Sequence, residues 1–132
     1  MFILDTDHIS LFQRNHPAVV AKILKTSADK LATTIITAEE QLRGRLNRVR
    51  KARNDEEIVR AYNNLSATLL YFNSITVIVF DEKPQAIFRK LRKQKIRVGT
   101  QDLRIAAIGL ANDATIVTRN RKDFSYPLYI LW

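Results

Sequence analysis

Acidic and amide side chains recur at one place in the predicted fold, directly after a strand or at the start of a helix. Because ligands of open α/β sheets bind at the carboxyl ends of the strands, we expect these side chains to lie close together. Clustered carboxylates raise one another's pKa unless a cation is present, and Mg²⁺ or Mn²⁺ prefers such oxygen ligands. A bound ion of this kind activates water and neutralises phosphate charge, so the pattern favours phosphodiester cleavage. The side chains are Asp5, Asp7, Glu39, Glu40, Asp102, Asn120 and Asp123.

Each of these acids also has a purely local interpretation. Asp5 ends a predicted strand and is suited to a turn, while Asp102 and Asp123 are suited to the start of a helix or a local contact. Glu40 stands three residues after Thr37, which is the spacing of a helix capping box. Taken together, however, four acids at the same predicted edge favour a functional site over four separate caps.

The neighbouring glutamates Glu39 and Glu40 fall on one predicted helix, and periodicity does not choose between them. Glu39 lies nearer the apolar stripe formed by Leu42 and Leu46, whereas Glu40 points more to the other side. Either side chain is therefore a candidate for the site.

Composition narrows the class of protein further. The 132 residues fit a single domain, and 22 Lys and Arg against 13 Asp and Glu give a net charge of +9. A small domain this basic suggests a polyanionic partner, most often a nucleic acid. The absence of cysteine excludes disulfides, a thiolate zinc site and a cysteine nucleophile. With two histidines a histidine-rich metal site is also excluded, and we interpret His8 as a local turn contact rather than a general base.

Strands and helices alternate along the whole chain. Residues 75–80 are apolar apart from Thr76, which predicts a strand buried on both faces. The alternation predicts an α/β fold, with a parallel sheet covered by helices on both faces. The predicted strands are 2–4, 31–36, 75–80, 114–117 and 128–131; the predicted helices are 8–14, 18–25, 37–53, 54–72, 82–94, capped by Asp81, and 103–111.

Four segments resemble, in order, the motifs of PIN-domain ribonucleases, specifically the VapC-type toxins of toxin–antitoxin pairs. Each segment alone is a weak signal, but four in order over essentially the whole chain are a specific one. The segments are Ile3–Asp7, Thr37–Gly44, Asp102–Ala107 and Thr118–Phe124.

The resemblance implies a three-layer α/β/α PIN-like fold with a central parallel sheet of four to five strands, formed by one domain over residues 1–132. It implies an endoribonuclease dependent on Mg²⁺ or Mn²⁺ and held inactive by a cognate antitoxin. By motif position the catalytic and metal-binding acids fall on Asp5, Glu40 and Asp102, because the family's glutamate stands four residues before a glycine. Asn120 is a further catalytic candidate where many relatives have an aspartate, and Asp123 is the alternative carboxylate. The resemblance therefore leaves open whether the site binds one metal ion or two.

Two basic runs fit an RNA substrate or an acidic antitoxin segment, although a solvated helix face explains each residue equally well. The aromatic residues Tyr62, Tyr71 and Phe72 recur at helical spacing and indicate core or a homodimer interface. No apolar segment is long enough for a signal sequence or a membrane span, so we expect a cytoplasmic protein. Two alternatives stay open, a catalytically inactive PIN-like RNA-binding or scaffold protein and a DNA nuclease. The basic runs are Arg43, Arg45, Arg48, Arg50, Lys51 and Arg53, and Arg89, Lys90, Arg92, Lys93, Lys95 and Arg97.

Overall fold

The computed structural model describes residues 1–95 and 98–118 and the backbone of residues 129–130. Within these residues the strands are β1 (Phe2–Leu4), β2 (Leu31–Thr34), β3 (Val77–Ile78), β4 (Thr115–Val117) and β5 (Tyr129–Ile130). The helices are α1 (Thr6–Gln13), α2 (Pro17–Lys25), α3 (Ile35–Lys51), α4 (Asp55–Asn73), α5 (Glu82–Lys93) and α6 (Thr100–Ala111), with a short 3-10 turn at Ala28–Lys30. The predicted alternation of strands and helices is confirmed.

The five strands form one parallel sheet in the order β3-β2-β1-β4-β5. The chain therefore builds outward from β1 in one direction through β2 and β3, and in the other direction through β4 and β5. The gap between the carboxyl ends of β1 and β4 is the point at which this direction reverses, and such points are where open α/β sheets bind their ligands. Asp5 follows β1 directly at this position.

Apolar side chains of the central strands alternate between the two faces, as the pleat of a strand requires. On one face Ile3 and Ile116 pack against Ile105 and Ile108 of α6. On the other face a second cluster joins β1 and β4 to α1, α2 and the end of α4, through Leu4, Ile9, Val117, Ile23, Tyr71 and Phe72. Helices thus cover both faces, and the predicted three-layer α/β/α fold is confirmed.

The segment from Ile75 to Phe80 differs from the prediction. Its strand, β3, has two residues, both half-buried, and Val79 directly after it is 60% exposed. β3 is one of the two edge strands of the described sheet, so it has a hydrogen-bonded neighbour on one side only. The prediction that this segment is buried on both faces is therefore wrong.

The boundary between β2 and α3 also lies elsewhere than predicted. Ile35 and Ile36 belong to the helix, because the Thr34 hydroxyl accepts a hydrogen bond from the Thr37 backbone N–H at 3.2 Å and so begins the helix at Ile35. The N-cap outweighs the strand preference of two β-branched residues. It also means that the predicted capping box between Thr37 and Glu40 is wrong, since both residues lie inside the helix.

Asp81 occupies the N-cap position of α5, although its side chain makes no capping hydrogen bond with the described residues. None of the helices in the described part of the chain combines the length and apolar character needed to cross a bilayer.

Candidate active site

Asp5 lies at the carboxyl end of β1, beside β4, where the order in which the chain adds strands reverses. Its side chain is buried, with 5% of the residue exposed. Its Oδ1 accepts the backbone N–H of His8 at 2.9 Å and so caps α1. The same oxygen lies 2.9 Å from Nδ1 of the His8 ring, which is the donor because the carboxylate can only accept. His8 makes the local contact predicted for it, and its Nε2 is buried without a partner among the described residues.

The Glu40 side chain, on α3, reaches toward α1, the helix that Asp5 caps. Its Oε1 accepts a hydrogen bond from the Thr6 hydroxyl at 3.1 Å, and Thr6 follows Asp5 in the chain. Partial burial raises the pKa of the Glu40 carboxyl above its ordinary value, and the charges of Glu39 and Asp7 add to this. The Thr6 hydrogen bond and Arg43 oppose the shift. Asp5 and Glu40 are therefore held at one corner of the molecule by a single intervening residue.

Glu39 points away from that corner. It is exposed, forms an ion pair with Arg43 at 2.8 Å, and its Oε1 accepts a hydrogen bond from the Gln101 amide at 2.9 Å. The apolar stripe that drew Glu39 inward in the sequence is not core, since Leu46 is 51% exposed. The structure therefore separates the two glutamates, with Glu40 facing Asp5's helix and Glu39 facing α6 and solvent.

The half-buried Asp102 lies in the first turn of α6, where a negative charge is favoured by the helix dipole. Its neighbour Gln101 contacts Glu39, so the start of α6 adjoins the start of α3. Asp5, Glu40 and Asp102 thus come from three neighbouring segments at the carboxyl ends of the strands, and their assignment to one site stays a prediction. Within the described residues, however, no three His, Asp or Glu side chains lie close enough together to form a ready-made metal site.

Two predicted site residues, Asn120 and Asp123, lie outside the described residues. The first basic run, on α3 and just beyond it, is partly engaged within the protein. Arg43 pairs with Glu39, and Arg45 Nε donates to the Thr68 hydroxyl at 2.9 Å. The described members of the second run are all exposed on α5 and just beyond it.

A chain of contacts connects this second run with the acidic edge. Two guanidinium groups lie over the Phe88 ring, with Arg92 at 5.6 Å and Arg104 at 5.3 Å from its centroid. Arg104 donates to the Gln101 Oε1 at 2.7 Å, and Gln101 donates to Glu39. Gln101 and Arg104 were missed by the sequence reasoning, although both flank or belong to the third motif.

A polar seam between α1 and α3 was also missed. Thr6 and Thr37 share a hydroxyl contact of 3.1 Å, and Gln41 bonds to Ser10 at 3.2 Å and to Gln13 at 3.0 and 3.1 Å. The signal was present in the sequence, because the residues of each helix recur at steps of three and four. The seam fixes α1, which begins at Asp5, against α3, which carries Glu40.

The raised pKa of Glu40 predicts a pH-dependent stability. The folded protein retains a proton on Glu40 that the unfolded chain releases at lower pH, so this group lowers stability as pH rises through that range. In metal-free buffer we expect Glu40→Gln to melt above wild type at about pH 7 and close to wild type at about pH 3, where both states are protonated.

The matched control is Glu82→Gln. This exposed acid in the first turn of α5 interacts favourably with the helix dipole, so its neutralisation is expected to lower the melting temperature slightly at neutral pH. Melting curves across the pH range check both variants. A Glu40→Gln protein that is less stable than wild type at neutral pH would contradict the prediction.

The sequence profile described as PIN domain matches residues 2–126. The chain belongs to the PIN domain family. It is 26% identical to Ribonuclease VapC1 of Haemophilus influenzae over 136 aligned positions, covering 100% of this chain and 96% of that protein. The predicted resemblance to PIN-domain ribonucleases of the VapC type is confirmed.

Solved structures share the fold. VapBC-1 from nontypeable Haemophilus influenzae superposes with a TM-score of 0.77 at 24% identity, covering 99% of this PIN domain and 97% of that chain. A toxin–antitoxin complex from Klebsiella pneumoniae gives a TM-score of 0.75 at 18% identity, covering 98% and 96%. At these identities the structures support the fold of this PIN domain.

Proposed function

We propose that this PIN domain is an endoribonuclease dependent on Mg²⁺ or Mn²⁺, and that it is the toxin of a toxin–antitoxin pair. The observation that supports the proposal is that Asp5 follows β1 at the switch point of the sheet and the segments bearing Glu40 and Asp102 adjoin it, in a chain of net charge +9. A protein that only binds RNA has no need of carboxylates beside it, because they repel phosphate. The relative named Ribonuclease VapC1 supports the same substrate class.

The donor set fits a hard divalent ion. His8 occupies Oδ1 of Asp5 with two contacts, which leaves Oδ2 for a cation. The raised pKa of Glu40 marks a carboxylate whose ionised form a nearby cation would stabilise. Mg²⁺ commonly keeps several waters and takes only one or two carboxylates directly, so the three acids need not meet at one point.

Asp5 and Asp102 would bind the ion, and Glu40 would bind it or orient the attacking water; Asn120 or Asp123 would complete the site. When bound, the ion supplies an activated water and neutralises charge on the phosphate. The residues of the chain position the acids: His8 orients Asp5, and Thr6 holds Glu40.

The same proposal covers the domain organisation, the location and the partners of the protein. We expect one PIN domain over residues 1–132, acting in the cytoplasm as a homodimer with a cognate antitoxin. The solved toxin–antitoxin complex that shares the fold supports the antitoxin as partner.

A metal titration tests the proposal. Mg²⁺ is added to the protein with single-stranded RNA, duplex RNA or DNA of the same sequence, and cleavage products are resolved by size. We expect cleavage of single-stranded RNA that requires the metal and stops on chelation. RNA binding without cleavage at any metal concentration would favour the inactive RNA-binding alternative, and preferred cleavage of DNA would favour the DNA nuclease.

The exposed cations at the end of α5 provide a further prediction, on RNA affinity. Each phosphate contacted by a cation in single-stranded RNA contributes a slope of about −0.7 to log K against log salt. Replacing Arg92, Lys93 and Lys95 with Gln is therefore expected to flatten the slope by about 2 and to weaken different RNA sequences by similar factors. The measurement is RNA binding by an Asp5→Asn protein across a salt series.

The control for this series is the matched replacement of Lys22, Lys25 and Lys30, three cations that precede β2. An unchanged slope in the α5 variant would show that α5 is a solvated face or a partner contact.

A further inference from the structure

Gly44 lies in the middle of α3, one turn after Glu40, where glycine is costly. A glycine in a helix interior destabilises it by about 1 kcal/mol relative to alanine. Gly44 is not required by the fold, because a Cβ built on it meets no atom of the described residues within 4 Å. Its backbone has no positive φ that would demand glycine. The bare patch of helix therefore has no explanation within the isolated chain.

The surroundings of Gly44 form a shallow depression of about 840 Å³ that begins at Glu40. Glu40, Arg43, Asn47 and Arg50 follow one another at steps of three and four residues and form a continuous stripe along the helix, in which Gly44 lies four residues after Glu40. At 1.5 Å per residue this stripe extends about 15 Å from the candidate active site. The depression is a path leading away from Glu40.

The chemistry of the depression suits a nucleic acid strand. Arg50 is an exposed cation on the stripe, and Arg43 and Glu39 balance each other's charge in an exposed ion pair. Leu42 and the half-exposed Leu46 supply apolar surface beside the cations. Single-stranded nucleic acids are bound by positive groups along the phosphate backbone and by apolar surface against the flat faces of the bases.

We infer that the α3 depression holds the RNA strand next to the scissile phosphate, and that Gly44 is the point at which the strand approaches the helix backbone. The inference rests on the proposed function and names a substrate path for it. Any side chain at position 44 would project into this path. Gly44 is thus a positioning residue, because it acts through the space it leaves beside Glu40.

The test is a size series at one position, Gly44→Ala and Gly44→Leu. Both residues are better helix formers than glycine, so both variants are expected to fold and to melt about 4 °C above wild type. RNA cleavage is expected to fall about threefold for Ala and more than about tenfold for Leu, since displacement of a substrate by about 1 Å costs up to a hundredfold. In the cleavage-deficient Asp5→Asn background the RNA affinity is expected to fall in the same order.

The control pair is Asn63→Ala and Asn63→Leu, at an exposed interior position of α4 outside the depression. These changes are expected to alter the melting temperature without changing cleavage. A Gly44→Leu protein that cleaves RNA like wild type would overturn the inference while leaving the proposed function intact. A change of mass in solution for Gly44→Leu with unaltered RNA affinity would also overturn it, because the depression would then be a contact between copies of the chain.

A wild type that cleaves no RNA under any metal condition would instead overturn the proposed function. The affinity series in the Asp5→Asn background still decides the path in that case. RNA affinity that falls as residue 44 becomes larger supports the RNA path along α3, and RNA affinity that stays constant excludes this path.

Discussion

Replacing Asp5 with Asn is expected to abolish metal-dependent RNA cleavage, with a loss of about a thousandfold or more. The ion is proposed to stabilise transition-state charge by several kcal/mol, and each 1.36 kcal/mol corresponds to a factor of ten in rate. The replacement is conservative in structure. Asn retains Oδ1, which accepts both contacts from His8, and Asn caps a helix as well as Asp does. The lost group is the charge on the other oxygen.

Asp102→Asn is expected to reduce metal-dependent RNA cleavage by a similar factor. The matched control is Asp113→Asn, the same change just beyond the opposite end of α6, where the residue has a φ of 54° that Asn tolerates. The measurements are cleavage rate at saturating Mg²⁺, RNA affinity and melting temperature. Near-normal cleavage by both Asp5→Asn and Asp102→Asn would show that the site assignment is wrong. A variant that loses both RNA affinity and cleavage would indicate a role in binding.

Glu40→Gln is expected to reduce cleavage about a hundredfold, and Glu39→Gln less than about threefold. A carboxylate that orients the attacking water as a general base contributes at least about a hundredfold to catalysis, and Gln keeps the Oε1 that accepts the Thr6 hydrogen bond. Glu39 is a control of the same chemistry one residue away, because its side chain faces Arg43 and Gln101. An exposed ion pair of this kind contributes little to stability.

Comparison of the Glu40→Gln and Glu39→Gln proteins separates the roles of two adjacent residues in one turn of α3. Initial rates at several Mg²⁺ concentrations distinguish a weakened metal site, which excess metal restores in part, from a lost catalytic group, which it does not. Equal losses at Glu39 and Glu40, or a larger loss at Glu39, would contradict the assignment.

The fold could be predicted from the sequence because the alternation of apolar strands with periodic helices is a property of local pattern. Pattern does not show which strand lies at the edge of the sheet. Residues 75–80 are apolar enough for a central strand, yet β3 is at the edge and Val79 is exposed. Strand order depends on how the whole chain packs, so local composition could not reveal it.

The candidate site was predictable to a similar degree. Asp5 and Asp102 could be placed at one edge because strand ends and helix starts converge there. The choice of Glu40 over Glu39 needed the family motif, since the apolar stripe used to judge the helix face turned out to be exposed at Leu46. The buried face of α3 is polar in part, and side-chain pairs such as Gln41 with Gln13 form only when two distant segments meet.

The polar seam between α1 and α3 has a consequence for the entropy of ligand binding. Hydrogen bonds depend steeply on distance and angle, so paired amides and hydroxyls hold two helices at one register. Thr6 and Gln41 therefore fix the relative positions of Asp5 and Glu40 when the protein folds. The cost of ordering these side chains is met at folding rather than at binding, so a ligand that enters between them gains affinity from a preorganised corner.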